Sequence, residues 1–376
     1  MKILFTGGGS GGHFYPIIAV AEQIEKIAST DKLLPPSFYF MAPEASDERM
    51  LYDHNIEFLE VPAGKLRLYF SPMNILDIFK MIAGCIRAFF KMFSIYPDVV
   101  FGKGGFGSFP ALLSARILKI PIVIHESDSV PGRVNKWAGK FADRIAVSYP
   151  EAAAYFPKER VAWTGQPVRS GIRPRQREEA DRFLKLEPNV PVMLVIGGSL
   201  GAEKLNDVVV NSIGELLSNW QIIHQTGRAN LKDVTDRANV TVEDKTFLSR
   251  YHPFDFMTDS ALAMASGAAS LVVSRAGSSI FEIASWGVPS IIIPISESNG
   301  NHQRANAYRY AQNGAAIVIE EMNLAPHIFI TEVEHIRGNE NLRKSMSEAA
   351  KAFHRADAGE KIARALVNIC INHGGK

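Results

Sequence analysis

A short apolar run, Ile3-Leu4-Phe5, feeds into Gly7-Gly8-Gly9-Ser10-Gly11-Gly12-His13, and the glycines open onto a helical pattern of Ile17, Ile18, Val20, Ala21 and Ile24. A strand that turns through glycine into a helix is the unit of a parallel α/β sheet. It leaves backbone N–H groups bare at the positive end of a helix dipole, where a phosphate is favoured. The pattern recurs: Gly102-Lys103-Gly104-Gly105-Phe106-Gly107-Ser108 follows Val99-Val100-Phe101, and Gly197-Gly198-Ser199-Leu200-Gly201-Ala202 follows Val192–Ile196. One such loop is explained by tight turning alone; its recurrence at the carboxyl ends of expected strands points to an anionic ligand.

Strands are expected at Ile3–Phe5, Phe38–Met41, Val99–Phe101, Ile122–Ile124, Ile145–Val147, Val192–Ile196, Gln221–His224, Ser270–Val273 and Ser290–Ile293, alternating with helical stretches. That alternation predicts doubly wound parallel sheets. A chain of 376 residues exceeds what one hydrophobic core usually serves. The series breaks near Gly165-Gln166-Pro167-Val168-Arg169 and the charged stretch 173–179, then restarts at Pro191. We therefore expect two Rossmann-like domains, 1–165 and 166–340, facing an interdomain cleft, with a helical segment 341–376 packing back on the first.

The formal charge of +2 gives no reason to expect nucleic-acid binding. Cys85 and Cys370 are too few for a disulfide framework, and neither has a Cys-x-x-Cys neighbourhood. The chain opens on a strand with no room for a secretory leader, so a cytoplasmic location is expected. A membrane span needs about 20 mostly apolar residues, and Ile75–Phe93 is interrupted by Asp77, Lys80, Arg87 and Lys91, so no span is expected.

In the second half, Ser274-Arg275-Ala276-Gly277-Ser278-Ser279-Ile280-Phe281-Glu282 runs from a strand into a helix. A carboxylate one turn inside such a helix suits a vicinal diol such as ribose, while the amides at the helix start face phosphate. Further on, Asn301-His302-Gln303-Arg304-Ala305-Asn306 begins another helix with side-chain amides suited to sugar hydroxyls. Gly7-x-Gly9-x-x-Gly12 also fits the dinucleotide fingerprint of dehydrogenases, but the acidic residue beyond the second strand, Glu44, is too distant for that role.

Taken in order, Gly7 to His13 with Pro16 and Ala19, Gly102 to Phe106 before Pro110, Ile124-His125-Glu126, Gly165 to Arg169, Gly197-Gly198-Ser199-x-Gly201-Ala202, Ser274 to Gly277 and His302-Gln303-x-x-Asn306-Ala307 resemble the MurG family. The resemblance covers about residues 1–320. It implies a GT-B fold and an inverting glycosyltransferase that moves N-acetylglucosamine from UDP-N-acetylglucosamine to the C4 hydroxyl of lipid I, a polyprenyl-diphosphate-MurNAc-peptide, giving lipid II for peptidoglycan. Such an enzyme would work peripherally at the cytoplasmic face of the plasma membrane, beside anionic lipids and partners in wall synthesis and cell division. UDP-N-acetylglucosamine is then a substrate, no cofactor is implied, and no Asp-x-Asp arrangement marks a metal site.

By matching position, the resemblance places Ser10, Gly11 and Gly12 near the donor sugar and phosphates, Arg169 and Ser199 on the diphosphate, Glu282 on the ribose, and Gln303 with Asn306 on the N-acetylglucosamine hydroxyls. Uracil would meet the backbone near Met257, and Gly104, Gly105 and Phe106 would meet the acceptor. Three departures stand out. Ser127-Asp128 replaces the family's usual Gln-Asn, so Asp128, which stands where that Asn touches the donor sugar, accepts but cannot donate when ionised. Gln166 stands where Asn is commoner. The stretch from Gly277 to Glu282 is one residue shorter, leaving the pairing of Ser278, Ser279 and Ile280 open.

The reaction needs a base for the attacking hydroxyl and positive potential for the departing diphosphate. His13 and Glu126 are the candidate bases, His13 preferred: an imidazole at a helix N-terminus is held neutral by the dipole. Glu126 ends a buried strand, where desolvation raises a carboxyl, or else it only orients His13 or the acceptor. For membrane contact, Asp77, Lys80, Gly84, Arg87 and Lys91 form a narrow polar stripe beside a broad face of Ile75, Ile78, Phe79, Ile82, Ile86, Phe89, Phe90 and Phe93. By its pattern such a helix either packs in a core with one wetted edge or lies in a lipid headgroup layer; the lipid acceptor that the resemblance implies favours the second, with Ile82, Phe89, Phe90 and Lys91 as expected contacts. The competing expectations are another GT-B enzyme on the same donor, such as a 2-epimerase or a transferase with a different lipid acceptor, and a non-catalytic membrane-associated scaffold.

Overall fold

A computed structural model describes residues 1–8, 11–65, 73–198, 202–296 and 301–373. Ser10, Ser199 and the start of the amphipathic segment lie outside the described residues. The chain divides into two compact units, residues 1–169 with 355–376, and residues 170–354.

The first unit is built on a seven-stranded parallel sheet of β1 (Lys2–Thr6), β2 (Ser37–Ala42), β3 (Ile56–Glu60), β4 (Val99–Gly102), β5 (Ile122–Glu126), β6 (Arg144–Val147) and β7 (Val161–Trp163). Its order is β3-β2-β1-β4-β5-β6-β7. Side chains of successive strand residues point to opposite faces, and two separate cores result. Ile3, Phe5, Phe38, Phe40, Val99 and Phe101 pack with α1 (Gly11–Thr30) and α14 (Ala358–His373). Leu4, Met41, Val100, Ile122 and Ile124 pack on the other face with α3 (Met73–Ile95), α4 (Phe109–Ile117) and α5 (Arg133–Ala138).

The second unit repeats the plan with a six-stranded parallel sheet: β8 (Val192–Ile196), β9 (Gln221–Gln225), β10 (Tyr251–Phe254), β11 (Ala269–Ser274), β12 (Ser290–Ile292) and β13 (Ala316–Val318), in the order β10-β9-β8-β11-β12-β13. Around it lie α6 (Arg177–Leu184), α7 (Glu203–Leu216), α8 (Leu231–Thr241), α9 (Asp259–Ala268), α10 (Ser279–Trp286), α11 (His302–Gln312), α12 (Pro326–Gly338) and α13 (Glu340–Phe353). The C-terminal segment is two helices with different allegiances. Within the second unit, α13 packs on α10, and Ser347 Oγ donates to the Gly287 carbonyl. The later α14 packs on α1 of the first unit, burying Ile362, Ala363, Leu366 and Val367.

Helix α3 packs on α4 and on residues 62–64 along a narrow seam. Asp77, Gly84, Ala88 and Met92 are buried, and Gly84 comes so close to the Pro62 carbonyl that a Cβ there would sit 1.8 Å from its oxygen. The expected polar stripe is therefore split: Asp77 and Gly84 form the seam, while Lys80 and Arg87 face outward. Outward too are Phe79, Ile82, Ile86, Phe90 and Phe93, with Ile82 52% and Phe90 66% exposed. Phe89 and Lys91 are half-buried at the edge, Phe89 packing against Phe90 and Phe93. Among the described residues no helix is long and apolar enough to cross a membrane.

Candidate active site

In the first sheet the chain leaves β1 toward β2 and β3, then returns to the other side of β1 as β4. Loops after β1 and β4 therefore diverge at the switch point, the usual position of a ligand crevice in such sheets. His13 stands in the first turn of α1, and its Nδ1 lies 3.0 Å from the carbonyl oxygen of Lys103, just after β4. A carbonyl only accepts, so Nδ1 carries the hydrogen and Nε2 is the basic nitrogen. Burial, then the nearby Lys103 charge, lower the His13 pKa from its ordinary value; Asp128 opposes them. The imidazole is thus neutral for reasons beyond the helix dipole expected at this position.

Gly104 and Gly105 adopt φ of 81° and 77°, in the left-handed region that favours glycine. At Gly105 a Cβ would lie 2.8 Å from the Gly8 carbonyl oxygen and 3.4 Å from His13 Nε2, so glycine keeps this side of the imidazole clear. Phe106 follows, half-buried, at the start of a short 3-10 turn. Arg169 is buried, its guanidinium carbon 3.7 Å above the Tyr15 ring beside the first turns of α1.

Glu126 ends β5, but both its oxygens are engaged. Oε1 accepts from the Asp128 N–H at 2.9 Å; Oε2 accepts from the Gly132 N–H at 3.0 Å and from Asn135 Nδ2 at 2.9 Å. Burial and the Asp128 carboxylate push Glu126 up to about 7 against these donors. Burial raises the carboxyl as expected of a buried strand end, and its hydrogen bonds have Glu126 organise residues 128–132, with Asp128 half-buried beside His13.

Below His13 lies a buried polar cluster for which no role was expected. The Lys103 side chain is fully buried, with Nζ 2.5 Å from His125 Nδ1, 2.6 Å from Ser127 Oγ and 3.5 Å from Gln166 Oε1. Ser127 and Ser148 hydroxyls also donate to Gln166 Oε1, and His125 Nε2 faces the Gly165 carbonyl at 3.0 Å. The departures at Ser127 and Gln166 thus sit in one network.

In the second unit β8 and β11 flank the corresponding switch point. Ser278 precedes α10, Ser279 Oγ lies 3.2 Å from Ser274 Oγ, and Glu282 is half-buried in the first turn. Ile280 is fully buried, which removes its side chain as a ligand contact. Asn306, 1% exposed, donates from Nδ2 to the Ala276 carbonyl and so braces α11 against the loop after β11; the expected sugar contact does not fit that burial. Gln303, one turn earlier and half-buried, accepts from the Ile295 N–H. The Met257 N–H, in the loop between β10 and α9, donates to Gln225 Oε1 at 3.0 Å.

Residues following β8, β9, β11, β12 and β13, among them Lys204, Asn230, Arg275, Ile295 and Glu321, line a cleft of about 360 Å³. Arg275 Nη2 pairs with Glu321 Oε1 at 2.7 Å. Burial pushes the Glu321 carboxyl up, but Ser296 and Arg275 together outweigh it and hold it at about 2. Glu321 thus fixes the guanidinium at the end of β11.

The glycosyltransferase family 28 N-terminal domain profile matches residues 3–147, and the C-terminal domain profile matches residues 192–362. A Treponema denticola protein named UDP-N-acetylglucosamine--N-acetylmuramyl-(pentapeptide) pyrophosphoryl-undecaprenol N-acetylglucosamine transferase is 36% identical over 97% of this chain and 96% of its own. A Bacillus anthracis protein of the same name, numbered 2, is 33% identical over 96% and 97%. Among solved structures, Acinetobacter baumannii MurG has a TM-score of 0.71 at 24% identity, covering 98% of this chain and 99% of that one. A Listeria monocytogenes structure described as a putative UDP-N-acetylglucosamine 2-epimerase reaches 0.70 at 14%, covering 97% and 95%. The fold is common to transferase and epimerase, whereas the relatives at 33% and 36% identity over nearly the whole of both chains are named as transferases, and on them and the two domain matches the chain belongs to the MurG family of family 28 glycosyltransferases.

Proposed function

We propose that this protein transfers N-acetylglucosamine from UDP-N-acetylglucosamine to the muramyl C4 hydroxyl of lipid I, forming lipid II. The carrying observation is the 36% identity, over nearly the whole of both chains, to a transferase named for that reaction. The first-unit geometry supports the same reading. His13 Nε2 takes the hydroxyl proton as the acceptor oxygen bonds to the anomeric carbon; the bond to UDP breaks with inversion, and its electron pair leaves on the diphosphate. Gly104, Gly105 and Phe106 frame the acceptor, and Glu126 positions the Asp128 loop.

Donor roles follow from position. Glu282, in the first turn of α10, holds the ribose diol; the α10 start with Ser278 and Ser279, and Arg169 with Ser199, meet the diphosphate; Gly11 and Gly12 with Ser10 approach the sugar phosphate, Gln303 a sugar hydroxyl, and the backbone at Met257 the uracil. The exposed apolar face of α3, edged by Lys80, Arg87 and Lys91, seats the protein on the anionic cytoplasmic leaflet that carries the acceptor.

UDP release by purified protein, with and without a short-chain lipid I analogue, tests the activity while the lipid product is followed by mass. Acceptor-dependent release with a gain of one N-acetylhexosamine is expected. Release without acceptor would favour the epimerase reading, and binding without turnover the scaffold.

A further inference from the structure

Lys103 occupies a place that physical chemistry makes costly. Lysine is almost never fully buried unless its charge is compensated, yet this side chain has no exposed surface. Its surroundings suit an ammonium. His125 Nε2 faces the Gly165 carbonyl, so its Nδ1 carries the lone pair that faces Nζ; Ser127 Oγ and Gln166 Oε1 supply two more acceptors. Three acceptors meet the three N–H donors of a lysine.

The same residue is tied through its backbone. Its N–H donates to the Thr6 carbonyl at the end of β1, and its carbonyl accepts from His13 Nδ1. Gly104 and Gly105, both at positive φ, follow immediately, so the peptide that orients His13 sits between a strand and two permissive glycines. The buried, hydrogen-bonded side chain is a further tie at that point.

We propose that Lys103 is the positioning residue for His13: its buried amine anchors the loop after β4 so that its own carbonyl selects the His13 tautomer. This rests on the reading of His13 as the base. The charged and titratable groups facing Lys103 are His13 on α1, His125 and Glu126 on β5, and Asp128 in the following loop. Burial lowers the Lys103 amine to about 7, and Glu126 and Asp128 oppose that fall. A cation beside His13 disfavours imidazolium, so its removal raises the His13 titration midpoint, burial alone then opposing Asp128.

The test is Lys103→Met, which keeps length and removes charge, in protein with ¹⁵N-labelled histidine and the His13 signal assigned by its loss in His13→Gln. The expected result is an upward shift of the His13 midpoint, loss of the predominant Nδ1–H tautomer, and a fall in kcat of about tenfold or more with KM for UDP-N-acetylglucosamine little changed. An unmoved midpoint and tautomer in folded Lys103→Met would overturn the proposal. If that variant does not fold, Ser127→Ala removes one anchor and carries the same test: a smaller shift in the same direction supports the proposal, and none overturns it. A response of the imidazole together with normal turnover by His13→Ala would keep the positioning and remove the base assignment.

Discussion

Asn135 Nδ2 donates to Glu126 Oε2 at 2.9 Å and to the His125 carbonyl at 3.1 Å, tying α5 to the last residues of β5. With two backbone N–H groups also on its oxygens, Glu126 acts as an acceptor that shapes a loop. His13→Ala is expected to lower kcat by about 10²- to 10⁴-fold, the range of general-base catalysis. Asn135→Ala should instead cost about 1–3 kcal/mol of stability in chemical denaturation, because it removes a donor from a buried carboxylate. Because His13 titrates below its ordinary value, the acid limb of kcat/KM should fall below pH 6.5. A Glu126→Gln enzyme that lost as much rate as His13→Ala, and lost that limb, would return the base to Glu126.

Every expected strand is present, and the four that went unread, β3, β7, β10 and β13, are the two edges of each sheet. The reason is physical. Central strands such as β4, β5 and β8 are buried throughout and read as apolar runs, whereas β3 carries Glu57 and Glu60, and β7 is exposed at Ala162 and Trp163. At the site, His13 and the glycines were legible because a strand, a glycine run and a helix are contiguous. Lys103 lay in one of those glycine loops, but its acceptors come from His125, Ser127 and Gln166, and only the folded sheet brings them to its amine. Asn306 shows the converse: an amide at a helix start reads as a ligand group, and only the fold shows it buried with Nδ2 on the Ala276 carbonyl.

Glu282 and Asn306, both expected to touch the donor, should separate in kinetics. Glu282 is half-buried at the start of α10, so Glu282→Gln keeps the helix and weakens only the diol contact. A rise in KM for UDP-N-acetylglucosamine of about tenfold is expected, the worth of one charge-assisted hydrogen bond. Asn306→Ala should show its effect in thermal unfolding, by about 1–3 kcal/mol, because the Ala276 carbonyl loses a buried donor. Equal effects of both variants on KM, with stability unchanged, would restore Asn306 to the sugar site.

Acid should loosen the second unit through His224. This buried imidazole faces Asn206 Oδ1 at 3.0 Å through Nε2 and the Tyr251 hydroxyl at 2.8 Å through Nδ1, so its neutral form is satisfied by one donated and one accepted bond. Burial lowers it to about 3. Between that value and the ordinary 6.5, the unfolded chain binds a proton that the folded one refuses. Stability contributed here is complete above pH 6.5 and is lost as pH falls, with a slope approaching about 1.4 kcal/mol per pH unit. Urea titrations of the parent and His224→Gln should differ by about one proton in that slope; identical pH dependence would show that His224 is not the group responsible.

The exposed face of α3 separates folding from membrane binding. Ile82 and Phe90 are more than half exposed, whereas Ala88 and Met92 are fully buried in the seam. Replacing Ile82 or Phe90 by Asp should shift stability by no more than about 0.5 kcal/mol, the usual effect at an exposed position, since neither anchors the core. Flotation with phosphatidylglycerol vesicles should fall by about tenfold for either variant, because each loses an apolar contact and gains a repelled charge. Lys80→Glu and Arg87→Glu should weaken binding to anionic vesicles more than to neutral ones, and added salt should narrow that difference by screening. Unchanged flotation by Phe90→Asp and Ile82→Asp would remove α3 as the membrane face and leave its apolar exposure to be explained by a protein partner.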